Sequence, residues 1–128
     1  MSLHESGQMY LEAIYVLSGQ RPVVRSIDVG EYLGYSKPSV SRAMGVLKKN
    51  GYVMAQADGA LKLTDEGRAV AETMYSRHTV LAQMLTAIGV AEDVAAEDAC
   101  RIEHVISEET FDAIKRHLDW AEENQPGK

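Results

Sequence analysis

Cys100, Glu103 and His104, in the run Cys100-Arg101-Ile102-Glu103-His104, stand at i, i+3 and i+4. On a helix that spacing sends a thiol, a carboxylate and an imidazole out of one face. Three such groups on one strip form half of a divalent-metal site. One helical face rarely closes a coordination sphere, so further ligands have to come from elsewhere. The candidates are His78, in an amphipathic run, and Met9 and Glu12, at i and i+3 near the N-terminus. Each also has a plainer reading. Cys100 could be a small core residue, Met9 apolar packing beside Tyr10 and Leu11, Glu12 part of a solvated face, and His78 a surface histidine. For Glu103-His104 the plainer reading is the costlier one, because an adjacent Glu-His pair on a mostly apolar helix needs a partner when buried. His4 and His117 have no convergent neighbours and are not counted as ligands.

The elements that must position these groups follow from periodicity. Gln8 to Ser18 reads as a first helix, with Tyr10, Ile14 and Leu17 as its apolar stripe, closed by Ser18-Gly19-Gln20-Arg21-Pro22. A short second helix is expected from Ser26, as its cap, to Leu33, followed by a tight turn at Gly34-Tyr35. Ser36 caps a third helix that tolerates Pro38 in its first turn and stops at Asn50-Gly51. Val40, Ala43 or Met44, and Leu47 face inward there. Lys37, Ser39, Ser41, Arg42, Gly45 and Lys48 remain outside. Tyr52–Ala57 and Ala60–Leu63 read as strands around Asp58-Gly59, a type I′ hairpin signal. Thr64 caps a long fourth helix, carrying Val70, Met74, Leu81, Leu85 and Ile88, that ends at Gly89. A fifth opens at Glu92-Asp93 and is expected to run to about Ile106. Ser107 caps a sixth, carrying Phe111, Ile114 and Leu118, and Glu122 to Lys128 reads as a polar, frayed tail.

Helix, short helix, turn, basic helix and hairpin, in that order, make a winged helix-turn-helix. The fold expected is therefore mainly α: a winged helix-turn-helix DNA-binding domain over residues 1–72, then an all-helical metal-binding and dimerisation domain over 73–128. The second lobe is too short for a comfortable core of its own, so a second copy is expected to cover it.

The net charge of −6 argues against nucleic acid only as a sum. Residues 1–72 hold 8 Lys and Arg against 8 Asp and Glu, whereas residues 73–128 hold 5 against 11. Ser36 to Asn50 contains Lys37, Arg42, Lys48 and Lys49 and no acid. Hydroxyls near a helix N-terminus, followed by Arg and Lys, suit an element lying in a major groove. The DNA-contacting set expected is Arg25, Ser36, Lys37, Pro38, Ser39, Ser41, Arg42 and Lys48. One cysteine excludes an internal disulfide framework, and no signal peptide or membrane-spanning run is visible, so a cytoplasmic location is expected.

These segments together resemble the metal-dependent repressors named for the diphtheria toxin repressor, the DtxR/MntR family of iron and manganese sensors. The resemblance covers nearly the whole chain. It is carried by Met9-Tyr10-Leu11-Glu12-Ala13-Ile14-Tyr15, Ser36-Lys37-Pro38-Ser39-Val40-Ser41, Leu63-Thr64-Asp65-Glu66-Gly67, Arg77-His78 and Ala99-Cys100-Arg101-Ile102-Glu103-His104. It implies a homodimer that binds a palindromic operator in double-stranded DNA when Mn(II) or Fe(II) is loaded, with other divalent transition metals accepted in vitro, and that represses metal-uptake genes. It also implies that Met9, Glu12, His78, Cys100, Glu103 and His104 are metal ligands. Met9 and Cys100 follow the iron type and Glu12 the manganese type, so the site is a hybrid. Ala82 and Ala96 stand where iron-type members place ancillary ligands, which sets their version of a second metal site aside. Glu12 and a length without room for the iron type's SH3-like domain liken the chain to the manganese type. On this reading the protein is not an enzyme. The alternatives are a winged-helix regulator sensing a small organic ligand, which leaves the ligand set unexplained, and a metalloenzyme, which needs an open coordination position and a general base.

Overall fold

The computed structural model describes residues 5–124, which form six helices and two strands. They divide into two compact units, one extending to Thr73 and the other starting at Met74.

In the first unit, α1 (Glu5–Ser18) buries the expected stripe of Tyr10, Ile14 and Leu17 together with Leu11 and Ala13, although the helix starts at Glu5 rather than Gln8. α2 (Ser26–Leu33) is capped differently from expectation. Ser26 is its first helical residue, and the cap is Arg25, whose backbone N–H donates to the Asp28 carboxylate at 2.9 Å. Gly34 ends α2 in the left-handed conformation, φ 74°, where a Cβ would be unfavourable.

α3 (Lys37–Lys49) begins as the sequence requires: Ser36 Oγ accepts from the Ser39 N–H at 3.4 Å, with Pro38 in the first turn. Val40, Met44 and Leu47 are buried, and Ala43 is half-buried. Asn50 is the C-cap, and Gly51 follows with φ 82°.

Strands β1 (Val53–Ala55) and β2 (Leu61–Leu63) pair antiparallel with Val53 opposite Leu63 and Ala55 opposite Leu61. The turn between them is not type I′. That type needs positive φ at two successive residues, and Gly59 alone has it here, φ 85°. The Gly59 N–H reaches the Gln56 carbonyl at 2.9 Å and the Gln56 N–H the Ala60 carbonyl at 2.8 Å. Ala57 and Asp58 thus make an ordinary turn, and Gly59 closes it as a bulge. The Leu61 N–H also donates to the Val24 carbonyl at 2.7 Å, which ties the segment before α2 to the hairpin.

α4 (Asp65–Ala87) contains the boundary between the units. Thr64 caps it, its hydroxyl accepting from the Gly67 N–H at 3.1 Å while donating to the Gly51 carbonyl at 2.6 Å. Here α4 comes so close to the chain entering β1 that a Cβ on Gly67 would fall onto the Tyr52 carbonyl. The core of the first unit joins α1, Val24, Val29, α3, Val53, Leu61 and Ala71.

The second unit holds the rest of α4, then α5 (Glu92–Ile102) and α6 (Glu108–Glu123), which Ser107 caps by accepting from the Thr110 N–H at 3.1 Å. Met74, Leu81, Ala95, Ala99 and Phe111 are buried in it. α5 does not continue to Ile106. It ends at Ile102, and Glu103 to Ile106 form a turn in which the N–H groups of Val105 and Ile106 both reach the Ile102 carbonyl at 3.0 Å. Glu122 and Glu123 belong to α6, Asn124 is its C-cap, and residues 125–128 of the expected tail lie outside the described residues, as does His4. Among the described residues no helix is long and apolar enough to cross a membrane.

Candidate metal centre and nucleic-acid interface

In the second unit the turn after α5 brings Glu103 and His104 to His78 of α4. The Glu103 side chain is fully buried, with Oε2 3.2 Å from His78 Nδ1 and Oε1 3.2 Å from His104 Nε2. The His104 side chain is likewise without solvent exposure, whereas that of His78 is 30 % exposed. The hydrogen bond to Glu103 raises the pKa of His78 above its ordinary 6.5, outweighing partial burial, which pulls the other way; the carboxylate's charge adds to the rise.

Arg77, the residue before His78, holds the same turn by its backbone. Its Nη1 donates to the carbonyls of Glu103 and Ile106, each at 3.2 Å, and its guanidinium lies over the Phe111 ring at 5.6 Å. Successive residues of a helix point about 100° apart, so Arg77 and His78 reach Glu103 by different routes, one to its main chain and one to its carboxylate.

A buried carboxylate is costly unless a cation compensates it. Here two imidazole nitrogens face it, and they compensate its charge only when protonated. A divalent ion would do so with both rings neutral, and one carboxylate with two imidazoles is a donor set that suits Mn(II), Fe(II), Co(II) and Zn(II). Two ligands at right angles, each about 2.1 Å from one ion, lie about 3 Å apart, close to the spacing seen here. The residues fit a metal.

Cys100 sits one turn earlier in α5, half-buried. The first unit carries the other two expected ligands on α1. Glu12 is half-buried, and Met9 Sδ accepts the Tyr35 hydroxyl at 3.8 Å, with Tyr35 also edge-on to Tyr10. Sequence reasoning missed Arg77 as an organiser of the turn; its only signal there was its place beside His78 in a segment that carries the resemblance.

On α3, Lys37, Pro38, Ser41, Arg42, Lys48 and Lys49 are exposed, so the acid-free strip lies on the surface. Ser36 and Ser39 are partly committed to the helix start, their hydroxyls 2.9 Å apart. Arg25 is engaged with the hairpin. Its guanidinium donates to the Asp58 carbonyl and lies 3.8 Å from the Asp58 carboxylate, fixing the wing tip to the start of α2.

A winged helix-turn-helix unit and a helical unit with a buried carboxylate–imidazole cluster are the make-up of metal-responsive DNA-binding regulators. Residues 2–61 match the N-terminal DNA binding domain of the iron dependent repressors, and residues 64–128 match their metal binding and dimerisation domain. The chain belongs to the iron-dependent repressor family, which includes the diphtheria toxin repressors. It is 33 % identical over 118 residues to the diphtheria toxin repressor of Corynebacterium efficiens, covering 91 % of this chain and 51 % of that protein. It is 31 % identical over 116 residues to the HTH-type transcriptional regulator MntR of Geobacillus kaustophilus, covering 91 % of this chain and 82 % of the relative. The chain thus spans about half the length of the diphtheria toxin repressors it matches and most of the MntR protein. Among solved structures, a manganese-dependent transcriptional repressor in complex with manganese superposes with a TM-score of 0.82 at 28 % identity, over 89 % of this chain and 53 % of that one.

Proposed function

We propose that this protein is a metal-dependent transcriptional repressor that senses Mn(II) or Fe(II), binds a palindromic operator as a homodimer and controls metal-uptake genes. The observation that carries this is the Glu103 carboxylate, fully buried between His78 and His104 in a chain whose other unit is a winged helix-turn-helix. We extend the regulatory character of the family to this chain, which is then not an enzyme, and place it in the cytoplasm, where DNA and free divalent ions meet. Residues 1–72 form the DNA-binding domain in this proposal, and residues 73–128 the metal-binding and dimerisation domain. Ile88, Val105 and Trp120, each at least 60 % exposed, support a second copy covering the helical lobe.

The metal set proposed is His78, Glu103, His104 and Cys100, completed by Met9 and Glu12 of α1. The bound ion supplies positive charge to the buried carboxylate and a common anchor for groups from both domains. Binding that favours the DNA-competent arrangement shifts the population toward it. Arg25, Ser36, Lys37, Pro38, Ser39, Ser41, Arg42 and Lys48 are the proposed DNA contacts, with Arg25 drawn from its place on Asp58 toward phosphate. The test is selection from a random duplex library, run anaerobically with Mn(II), with Fe(II) and with a chelator. One palindrome enriched only with metal is expected; equal enrichment with chelator overturns metal gating.

Two further outcomes are expected. Arg42→Ala weakens operator binding by about tenfold or more while leaving Mn(II) affinity unchanged, as for loss of one DNA contact. Fluorescence anisotropy and calorimetry check this; wild-type DNA affinity moves the reading face elsewhere. The second concerns pH. A ligating imidazole must be neutral, so metal displaces the proton that Glu103 helps His78 keep. Mn(II) affinity therefore rises with pH through the elevated pKa of His78 and then levels off. The metal-free fold behaves oppositely: the His78–Glu103 contact stabilises it fully below about pH 6.5, and that contribution is lost as pH rises through the folded-state value. Calorimetry and thermal melts at a series of pH values should show the two slopes with opposite sign.

A further inference from the structure

We infer that Arg77 is the positioning residue of the metal centre: by holding the main chain of the Glu103–Ile106 turn it sets where the Glu103 and His104 donors stand. This rests on the metal-sensing reading above. It comes from three observations.

The first is where α5 ends. Beyond Ile102 the chain has left the helix, and Arg77 Nη1 donates to the carbonyls of Glu103 and Ile106 there, each at 3.2 Å. The turn is thus fastened at both ends to one side chain of α4. The second is how closely the donors meet: the turn carries two adjacent side chains whose polar atoms come together, Glu103 Oε1 standing 3.2 Å from His104 Nε2. The third is that Arg77 itself has little freedom. Its guanidinium lies over the Phe111 ring, and its Nε is buried with no hydrogen-bond partner among the described residues. A buried donor left unsatisfied opposes stability, so the side chain is not placed there for stability alone. What the arrangement secures is a fixed turn. His78, the next residue, then meets the Glu103 carboxylate at a set distance, so two consecutive residues of α4 grip Glu103 by backbone and side chain.

The experiment uses the full chain. Arg77→Met keeps an apolar stem over Phe111 and removes every donor, whereas Arg77→Lys keeps a charge and a donor but not the two-carbonyl reach. Mn(II) affinity is measured by calorimetry well below the melting temperature, alongside far-UV circular dichroism of the metal-free protein. The expected result is unchanged helical content with Mn(II) affinity lowered about 10- to 100-fold in Arg77→Met, the range for loss of a supporting contact, and recovered in part in Arg77→Lys. A role confined to stability would lower the melting temperature and leave the affinity alone, which overturns the inference. Should Arg77→Met fail to fold, Arg77→Lys decides: wild-type affinity in a folded Arg77→Lys protein overturns it as well. Glu103→Gln is run in parallel. If it still binds Mn(II) like the wild type, the metal-sensing reading itself fails; if it loses the ion while Arg77→Met keeps it, only the role of Arg77 falls.

Discussion

The Glu103→Gln variant is expected to lose the metal response of DNA binding while its metal-free fold melts at or above the wild-type temperature. The two halves of this outcome have one cause. Glu103 is the one charged residue of the described chain that is fully buried, and its oxygens stand 3.2 Å from imidazole nitrogens of His78 and His104. A buried ion cluster is weak as a source of stability, and a neutral group of the same shape avoids the cost of keeping a carboxylate out of water. Glutamine is that group, so stability should hold or rise. For a cation the exchange removes the only anionic donor among the three that meet in the second unit. Affinity for Mn(II) should fall by about two orders of magnitude or more, roughly 3 kcal/mol. His104→Ala should lose the metal response in the same way with the dimer intact, but it leaves a hole and a less compensated carboxylate, so its melting temperature should drop. A Glu103→Gln protein that still requires Mn(II) to bind its operator would falsify the assignment of the site.

The second large effect lies in the first unit. Gly67→Ala should destabilise the protein by about 2–4 kcal/mol, the range for forced overpacking and backbone displacement, and lower the melting temperature by about 10 °C. Helix propensity alone points the other way, since alanine is better than glycine inside a helix by about 1 kcal/mol. The clash decides. The new Cβ would fall on the Tyr52 carbonyl, and that carbonyl cannot easily withdraw. It accepts the Thr64 N–H at 3.1 Å, its own residue donates to the Leu47 carbonyl at 2.9 Å, and Thr64 in turn is bonded to Gly51 and Gly67. α3, β1 and the start of α4 meet in this knot, so shifting it disturbs the hairpin and the end of the basic helix together. Chemical denaturation checks the magnitude; a variant as stable as the wild type would show that the chain around Tyr52 yields freely.

Much of this was legible in the sequence because it is local. Ser36, Thr64 and Ser107 announce helix starts by their chemistry, and the apolar stripes of α1 and α3 follow from a period that packing enforces. The misreadings share a different physics. Asp58-Gly59 satisfies the pattern for a two-residue turn. In the structure Asp58 keeps an ordinary φ, accepts the Ala60 N–H at 3.1 Å through its carboxylate and is gripped by Arg25, 33 residues away, which favours the longer loop. The cap of α2 fell to Arg25 because Asp28 takes its N–H, leaving Ser26 inside the helix. The turn beyond α5 is met by Arg77, whose guanidinium donates to the carbonyl of Glu103, 26 residues further on. Pattern reading sees spacings within an element; it does not see which distant side chain claims a backbone group. For the same reason Cys100, Glu103 and His104 could be proposed from their spacing, whereas the contact of His78 with Glu103 and the hold of Arg77 on the turn come from α4.

That early end of α5 also bears on time. Helix ends open locally at far lower free energy than whole domains unfold. Because Glu103 and His104 lie in the short turn beyond Ile102, both side chains can be released by opening that turn while α5 stays wound. On the proposed metal-binding role, a cation held there can leave by a local fluctuation that breaks the Arg77 hydrogen bonds and those to the Ile102 carbonyl, without unfolding of the lobe. On the proposed repressor function, such a site loses its signal quickly, so that genes silenced in the presence of the ion are freed when it becomes scarce without the protein having to be destroyed.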